Sequence, residues 1–99
     1  MTAIADDGFA FIYTLSEITI PKNVTAIGDY AFYNCNSLSS IIIPEGVTDI
    51  GAYAFYNCNS LTGITIPESI KTIGTNAFEG CNNLNLVLPE GMKKNEQWF

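Results

Sequence analysis

Apolar residues recur along this chain with a period of 23. Val47 to Ser69 reads VTDIGAYAFYNCNSLTGITIPES, and one period earlier Val24 to Gly46 reads VTAIGDYAFYNCNSLSSIIIPEG. The pattern returns from Ile70 to Gly91 with one residue missing, and Met1 to Asn23 carries a degraded version. A period of this length marks a solenoid, because a single unit cannot bury its apolar positions until neighbours stack on it. Stacking turns each apolar position into a column: Ile4–Ile27–Ile50–Ile73, Phe9–Phe32–Phe55–Phe78 and Leu15–Leu38–Leu61–Leu84. In the first coil an ungapped alignment sets Phe9 on Phe32, and a slip setting Ala10-Phe11 on Ala31-Phe32 is the alternative.

Within each coil the spacing changes. Leu-x-x-Ile-x-Ile alternates with period two and is β-branched, so it predicts a strand, ended by Pro21, Pro44, Pro67 and Pro89. A second short extended piece follows the proline turn, as from Val47 to Ile50. Gly28, Gly51 and Gly74 mark a bend predicted to need a glycine backbone conformation. Ala54, Phe55, Cys58 and Leu61 have helical spacing and predict short helical turns. Asn34 and Asn57 share a column with Gly80, which predicts left-handed backbone there. Coil four loses its residue between Leu84 and Leu86, and the last residues, ending in Trp98 and Phe99, leave the pattern and are predicted to cap the stack. The chain therefore divides as one domain, 1–99, with coils 1–23, 24–46, 47–69 and 70–91 and a cap 92–99.

The LxxIxIP segment, IGxxAF and the cysteine, repeated closely from Ile18 to Pro89, resemble the BspA-like class of bacterial leucine-rich repeats. The resemblance implies a leucine-rich-repeat solenoid, α/β or mostly β. Its four coils of 22–23 residues would form a parallel β-sheet, with short helical turns on the flank and a C-terminal cap. It also implies protein recognition, with no enzyme activity and no catalytic residue to carry over. Members of that class are usually long and exported. A piece of such a protein would come from the cell surface or a secreted molecule; a complete chain of this kind is expected in the cytoplasm.

Composition narrows the partners. Of 99 residues, 47% are hydrophobic and 14% charged, the balance of a folded domain. Ten acidic residues against four lysines, with neither Arg nor His, give a formal charge of −6. That field repels phosphate backbones and anionic headgroups, so neither nucleic acid nor a membrane surface is an expected partner.

Cys35, Cys58 and Cys81 recur one per coil instead of in close pairs, which argues for core thiols and against a metal site. Ile12 falls in their column, so the position is predicted to be buried, small and apolar. No cofactor is implied. Glu45, Glu68 and Glu90 follow the prolines and should stack, headed by Lys22, as a solvated turn or a site for a basic partner. With no His, no isolated nucleophile and no phosphate loop, catalysis is not expected. Asn23-Val24-Thr25 matches a glycosylation acceptor, a short motif of low specificity.

Two surfaces could bind a protein. Tyr30 and Tyr53 are repeat equivalents, as are Tyr33 and Tyr56; the four would form an aromatic patch on the flank, or stack and shield the coil edge. Thr19, Ile42, Thr65 and Val87 alternate outward on the strands. Phe11 and Tyr13 stand where inner coils carry Asn34 and Asn36, and predict a weak homodimer through the first coil. The function expected is a non-enzymatic protein-binding module using Tyr30, Tyr33, Tyr53, Tyr56, Ile42, Thr65, Glu45 and Glu68. The alternatives are an acidic inhibitor filling a basic groove of a nucleic-acid-handling enzyme, and a structural fragment of a longer array.

Overall fold

The computed structural model describes residues 3–99; Met1 and Thr2 of the first coil lie outside the described residues. The strands run in chain order β1 (Ala3–Ile4), β2 (Glu17–Thr19), β3 (Ala26–Ile27), β4 (Ser40–Ile42), β5 (Asp49–Ile50), β6 (Gly63–Thr65), β7 (Thr72–Ile73) and β8 (Asn85–Val87). Where one sheet was expected, each coil contributes to two. The Leu-x-x-Ile-x-Ile segments form a parallel sheet β2-β4-β6-β8, and the pieces after the proline turns form a second, β1-β3-β5-β7. Ile27 pairs with Ile50 and Ile50 with Ile73, the register the period demands. In coil four Gly63 pairs with Asn85 and Ile64 with Leu86, so the missing residue falls before the strand and the inward face is kept.

The interior is built from the columns. Phe32, Phe55 and Phe78 are fully or almost fully buried, together with Val24, Val47, Leu38, Leu61, Ile64 and Ile66. The phenylalanine rings stack face to face: Phe9–Phe32, Phe32–Phe55 and Phe55–Phe78 have centroids 5.3, 5.2 and 5.6 Å apart and planes within 8° of parallel. That spacing follows the separation of parallel strands, about 4.8 Å. Phe9 on Phe32 establishes the ungapped register of the first coil. Burying a side chain of this size stabilises by about 1.5–3 kcal/mol, and each coil supplies several.

Among the described residues, the third side of each coil holds no α-helix. The N–H groups of Ala31, Tyr33 and Cys35 donate back three residues, to Gly28, Tyr30 and Phe32. Those of Tyr30, Phe32 and Asn34 donate instead to the carbonyls of Ala52, Ala54 and Tyr56 in the next coil. Overlapping tight turns thus replace the expected helical turns, because alternate N–H groups are committed to the neighbouring coil and cannot close an i→i−4 ladder. Asn34, Asn57 and Gly80 are left-handed as expected, with φ 57°, 59° and 83°. A second column, Asp7, Tyr30, Tyr53 and Asn76, is left-handed too, at φ 56–60°.

The recurring bend glycines answer to a different constraint from the one expected. Gly51 has an ordinary φ, but a Cβ there would lie 2.5 Å from the backbone nitrogen of Asp29. The coils touch backbone to backbone at this column, and only hydrogen fits.

At the far end, Asn95 caps a 3₁₀ turn (Glu96–Trp98) by accepting from the Gln97 N–H. The Gln97 and Trp98 carbonyls accept from the N–H groups of Asn76 and Phe78, at 2.7 and 2.8 Å, as a further coil would. Trp98 is buried, and Phe99 leans on Phe78 with centroids 6.1 Å apart. Among the described residues no helix is long and apolar enough to cross a membrane.

Candidate functional site: the aromatic flank

The tight turns aim their side chains alternately. Ala31, Phe32 and Cys35 point in, while Tyr30 and Tyr33 stand on the outer flank, repeated by Tyr53 and Tyr56. Both outcomes considered for the tyrosines occur together. Tyr30 stacks on Tyr53 (5.2 Å, 5°) and Tyr33 on Tyr56 (4.8 Å, 10°), yet every ring keeps part of its surface in solvent. The two stacks also meet each other, with Tyr30–Tyr33 at 5.3 Å and Tyr53–Tyr56 at 5.8 Å.

Phe11 and Tyr13 belong to the same surface. The Phe11 ring sits edge-on to Tyr33 at 5.3 Å and to Tyr13 at 6.3 Å. Phe11 is 52% and Tyr13 56% exposed. The residues read from sequence as two patches form one strip of six rings.

The strand face is shallower. Ile42, 68% exposed, divides two hollows of about 280 and 390 Å³, and Glu45 lines both. Thr65, Gly63 and Val87 line the first; Thr19, Lys22 and Pro44 line the second. Glu68 is exposed and borders neither hollow. The structure therefore brings Ile42, Thr65 and Glu45 together at the first hollow, with Glu68 on the neighbouring turn outside its lining.

The cysteine column differs from its sequence reading. All three thiols are free and buried, but Ile12, in the same column, is 38% exposed. The position is chosen for more than size, since each thiol donates to a phenylalanine carbonyl: Cys35 to Phe9 (3.0 Å), Cys58 to Phe32 (3.1 Å) and Cys81 to Phe55 (3.0 Å). Burial pushes the Cys35 thiol up, and the neighbouring Cys81 thiol and burial push Cys58 up, so neither is an activated nucleophile.

Sequence reading missed three carboxylates. Asp6 accepts from the Asp29 N–H (2.8 Å) and Asp29 from the Ala52 N–H (2.9 Å), a link between coils. Their signal was available: the two aspartates share a column. Asp49 accepts from Thr72 (2.5 Å) and Thr48 (2.8 Å), and these hydrogen bonds, with Lys71 nearby, hold its carboxyl below the usual range. No group of three or more potential metal ligands occurs among the described residues.

The family pattern described as BspA type leucine rich repeat region matches residues 2–98 in six copies. A leucine-rich repeat protein of T. pallidum is similar over 88% of this chain, with 30% identity and a TM-score of 0.79. One from Bacteroides ovatus is similar over 92%, with 33% identity and a TM-score of 0.79. One from Bacteroides capillosus is similar over 89%, with 34% identity and a TM-score of 0.80. The chain spans 45%, 26% and 63% of those three structures respectively, less than two thirds of each. No curated protein matches it by sequence.

Proposed function

The chain belongs to the BspA-type leucine-rich repeat family, and we propose that it is a non-enzymatic protein-binding module. Leucine-rich-repeat proteins are in general interaction scaffolds. The observation that carries the reading here is the strip of six aromatic rings on neighbouring coils, three exposed (Phe11, Tyr13 and Tyr30) and three half-buried (Tyr33, Tyr53 and Tyr56). Ordered tyrosines supply contact area with little conformational entropy left to lose on binding. The strand face around Ile42, Thr65 and Glu45 is the second candidate surface.

The test is photo-crosslinking from the native chain. A photoreactive phenylalanine analogue replaces Tyr33 in one preparation and Ile42 in another, and each is exposed to a lysate of the source organism. A saturable adduct to one protein, competed by unlabelled chain, is the expected result, and the position that forms it names the face. Adducts from neither position would overturn the reading. Raised salt separates the acidic-inhibitor alternative, whose partner should release steeply as the charges are screened.

A second reading rests on coverage. Because the similar structures are longer, this chain also fits a section of a longer repeat array, and the length of the open reading frame separates the two. A homodimer through Phe11 and Tyr13 would occupy part of the same strip, and light scattering over a concentration series reads it directly.

A further inference from the structure

Three aromatic residues of the flank occupy backbone that aromatic residues rarely adopt. Phe11, Tyr30 and Tyr53 have φ of 63°, 60° and 56°. Cβ sterics disfavour this region for all but glycine, asparagine and aspartate. Those are the residues the chain itself uses in the same columns, at Asp7, Asn34, Asn57, Asn76 and Gly80. Placing rings there is locally unfavourable, and it directs them to the surface and not to the core. Strain of this kind concentrates at functional positions.

Among the described residues, the charged side chains in the ring columns and the column adjoining them are all acidic. Asp7 precedes Tyr30 in its column, Asp6 and Asp29 occupy the adjoining column, and Glu79 follows Tyr56 in its own. Asp6, Asp7 and Asp29 are exposed, and Glu79 is half-buried with Asn76 donating to its carboxylate at 2.6 Å. Three of the four lysines stand elsewhere, Lys22 beside the strand-face hollow, Lys71 next to β7 and Lys93 in the tail, while Lys94 lies over the Phe99 ring, 5.0 Å from its centroid, beyond Asn76 at the last-coil end of the flank.

We propose that this flank docks a cationic, arginine-bearing segment of a partner protein. The proposal rests on the binding-module reading and names the chemistry of its partner. A guanidinium is planar and weakly hydrated, so it can lie against tyrosine rings while donating to phenol oxygens and to the flanking carboxylates. Apolar residues between the arginines would cover Phe11 and Tyr13.

The test is an amide NMR titration of the whole chain with four short synthetic peptides, in which leucine alternates with arginine, lysine, glutamate or serine. The arginine peptide should give saturable shifts centred on residues 7–13, 30–34 and 53–57, weakening as salt is raised. Phe11→Asn and Tyr30→Asn place in each column a residue the chain already uses there, so the fold should be kept, as an unchanged thermal midpoint will verify. Together they should weaken the arginine peptide about tenfold, the equivalent of one or two cation–π contacts.

Several outcomes overturn the proposal. Serine or glutamate peptides that bind the flank equally would remove the role of charge. Shifts centred on Ile42, Thr65 and Val87 would move the site to the strand face while leaving the binding-module reading intact. No saturable shift with any peptide would dismiss a cationic segment. Flank shifts that appear on concentrating the chain alone would assign the strip to a second copy. Failure of the module reading itself shows separately, as absence of any crosslinked partner from either face.

Discussion

The Cys58 thiol donates to the Phe32 carbonyl of the preceding coil at 3.1 Å, and Cys35 and Cys81 repeat the contact to Phe9 and Phe55. The column therefore ties successive coils together through side chains as well as filling space. A thiol suits it because it is small, apolar in bulk and able to donate one weak hydrogen bond.

Holding Cys35 and Cys58 protonated has a pH signature. Cys35 and Cys58 are raised above their ordinary value of 9.0, so in alkali the folded state keeps protons that the unfolded state gives up. Their contribution is intact below about pH 9 and is lost as pH climbs beyond it, until the folded thiols themselves ionise. Urea melts at pH 8 and pH 10 should show this fall, and Cys58→Ala should show a smaller one. Parallel declines in the two proteins would remove the thiol from the explanation.

Core and flank aromatics should separate cleanly in stability. Phe55 is fully buried between Phe32 and Phe78, so Phe55→Ala should cost about 3–5 kcal/mol. Tyr53 is half-buried at φ 56°, a conformation asparagine tolerates better, so Tyr53→Asn should change stability by no more than about 1 kcal/mol. Equal losses in denaturant melts would mean that the flank rings carry the fold.

The contrast shows what the repeat made legible. Stacking columns followed directly from the period, as did the left-handed turn at Asn34 and Asn57, since asparagine and glycine fill that column in every coil but the first. The left-handed turn at Tyr30 and Tyr53 was hidden because aromatic residues fill it in both inner coils; only Asp7 and Asn76 at the ends betray it. Ala54, Phe55, Cys58 and Leu61 have a spacing that overlapping tight turns satisfy as well as a helix does. The choice is made by N–H groups donated between coils, which no single coil encodes. The site was legible residue by residue but not as a unit: joining Phe11 to Tyr33 required the geometry of the turn.

Glycines in neighbouring roles should respond differently to the same methyl group. In Gly51→Ala the Cβ meets the Asp29 backbone at 2.5 Å, so the coils must part, at about 1–3 kcal/mol or more. Gly46 has open space but φ 104°, and Gly46→Ala should cost about 1 kcal/mol through backbone strain alone. At Gly63 the nearest atom is the Asn85 carbonyl oxygen at 3.9 Å and φ is ordinary, so Gly63→Ala should be neutral or stabilise by about 0.4–1 kcal/mol. Thermal melts of the three variants give the order, and a Gly51→Ala protein as stable as Gly63→Ala would contradict the backbone contact.

The cap should be worth as much as a core column, because it closes one. Trp98 lies 8% exposed against the last coil while its own carbonyl receives the Phe78 N–H at 2.8 Å. Trp98→Ala keeps that backbone acceptor and removes only the indole, so it isolates packing from hydrogen bonding. Losing the buried ring should cost about 3–5 kcal/mol, whereas Asn95→Ala, which deletes only the acceptor for Gln97, should cost about 1 kcal/mol. As the single tryptophan, Trp98 also reports on its own burial: its emission should be blue-shifted in the native chain and move red on unfolding. A cap that merely frays would show a red shift at low urea, ahead of the loss of β signal in circular dichroism. Coincident transitions are expected, since the Gln97 and Trp98 carbonyls bind the last coil as another coil would.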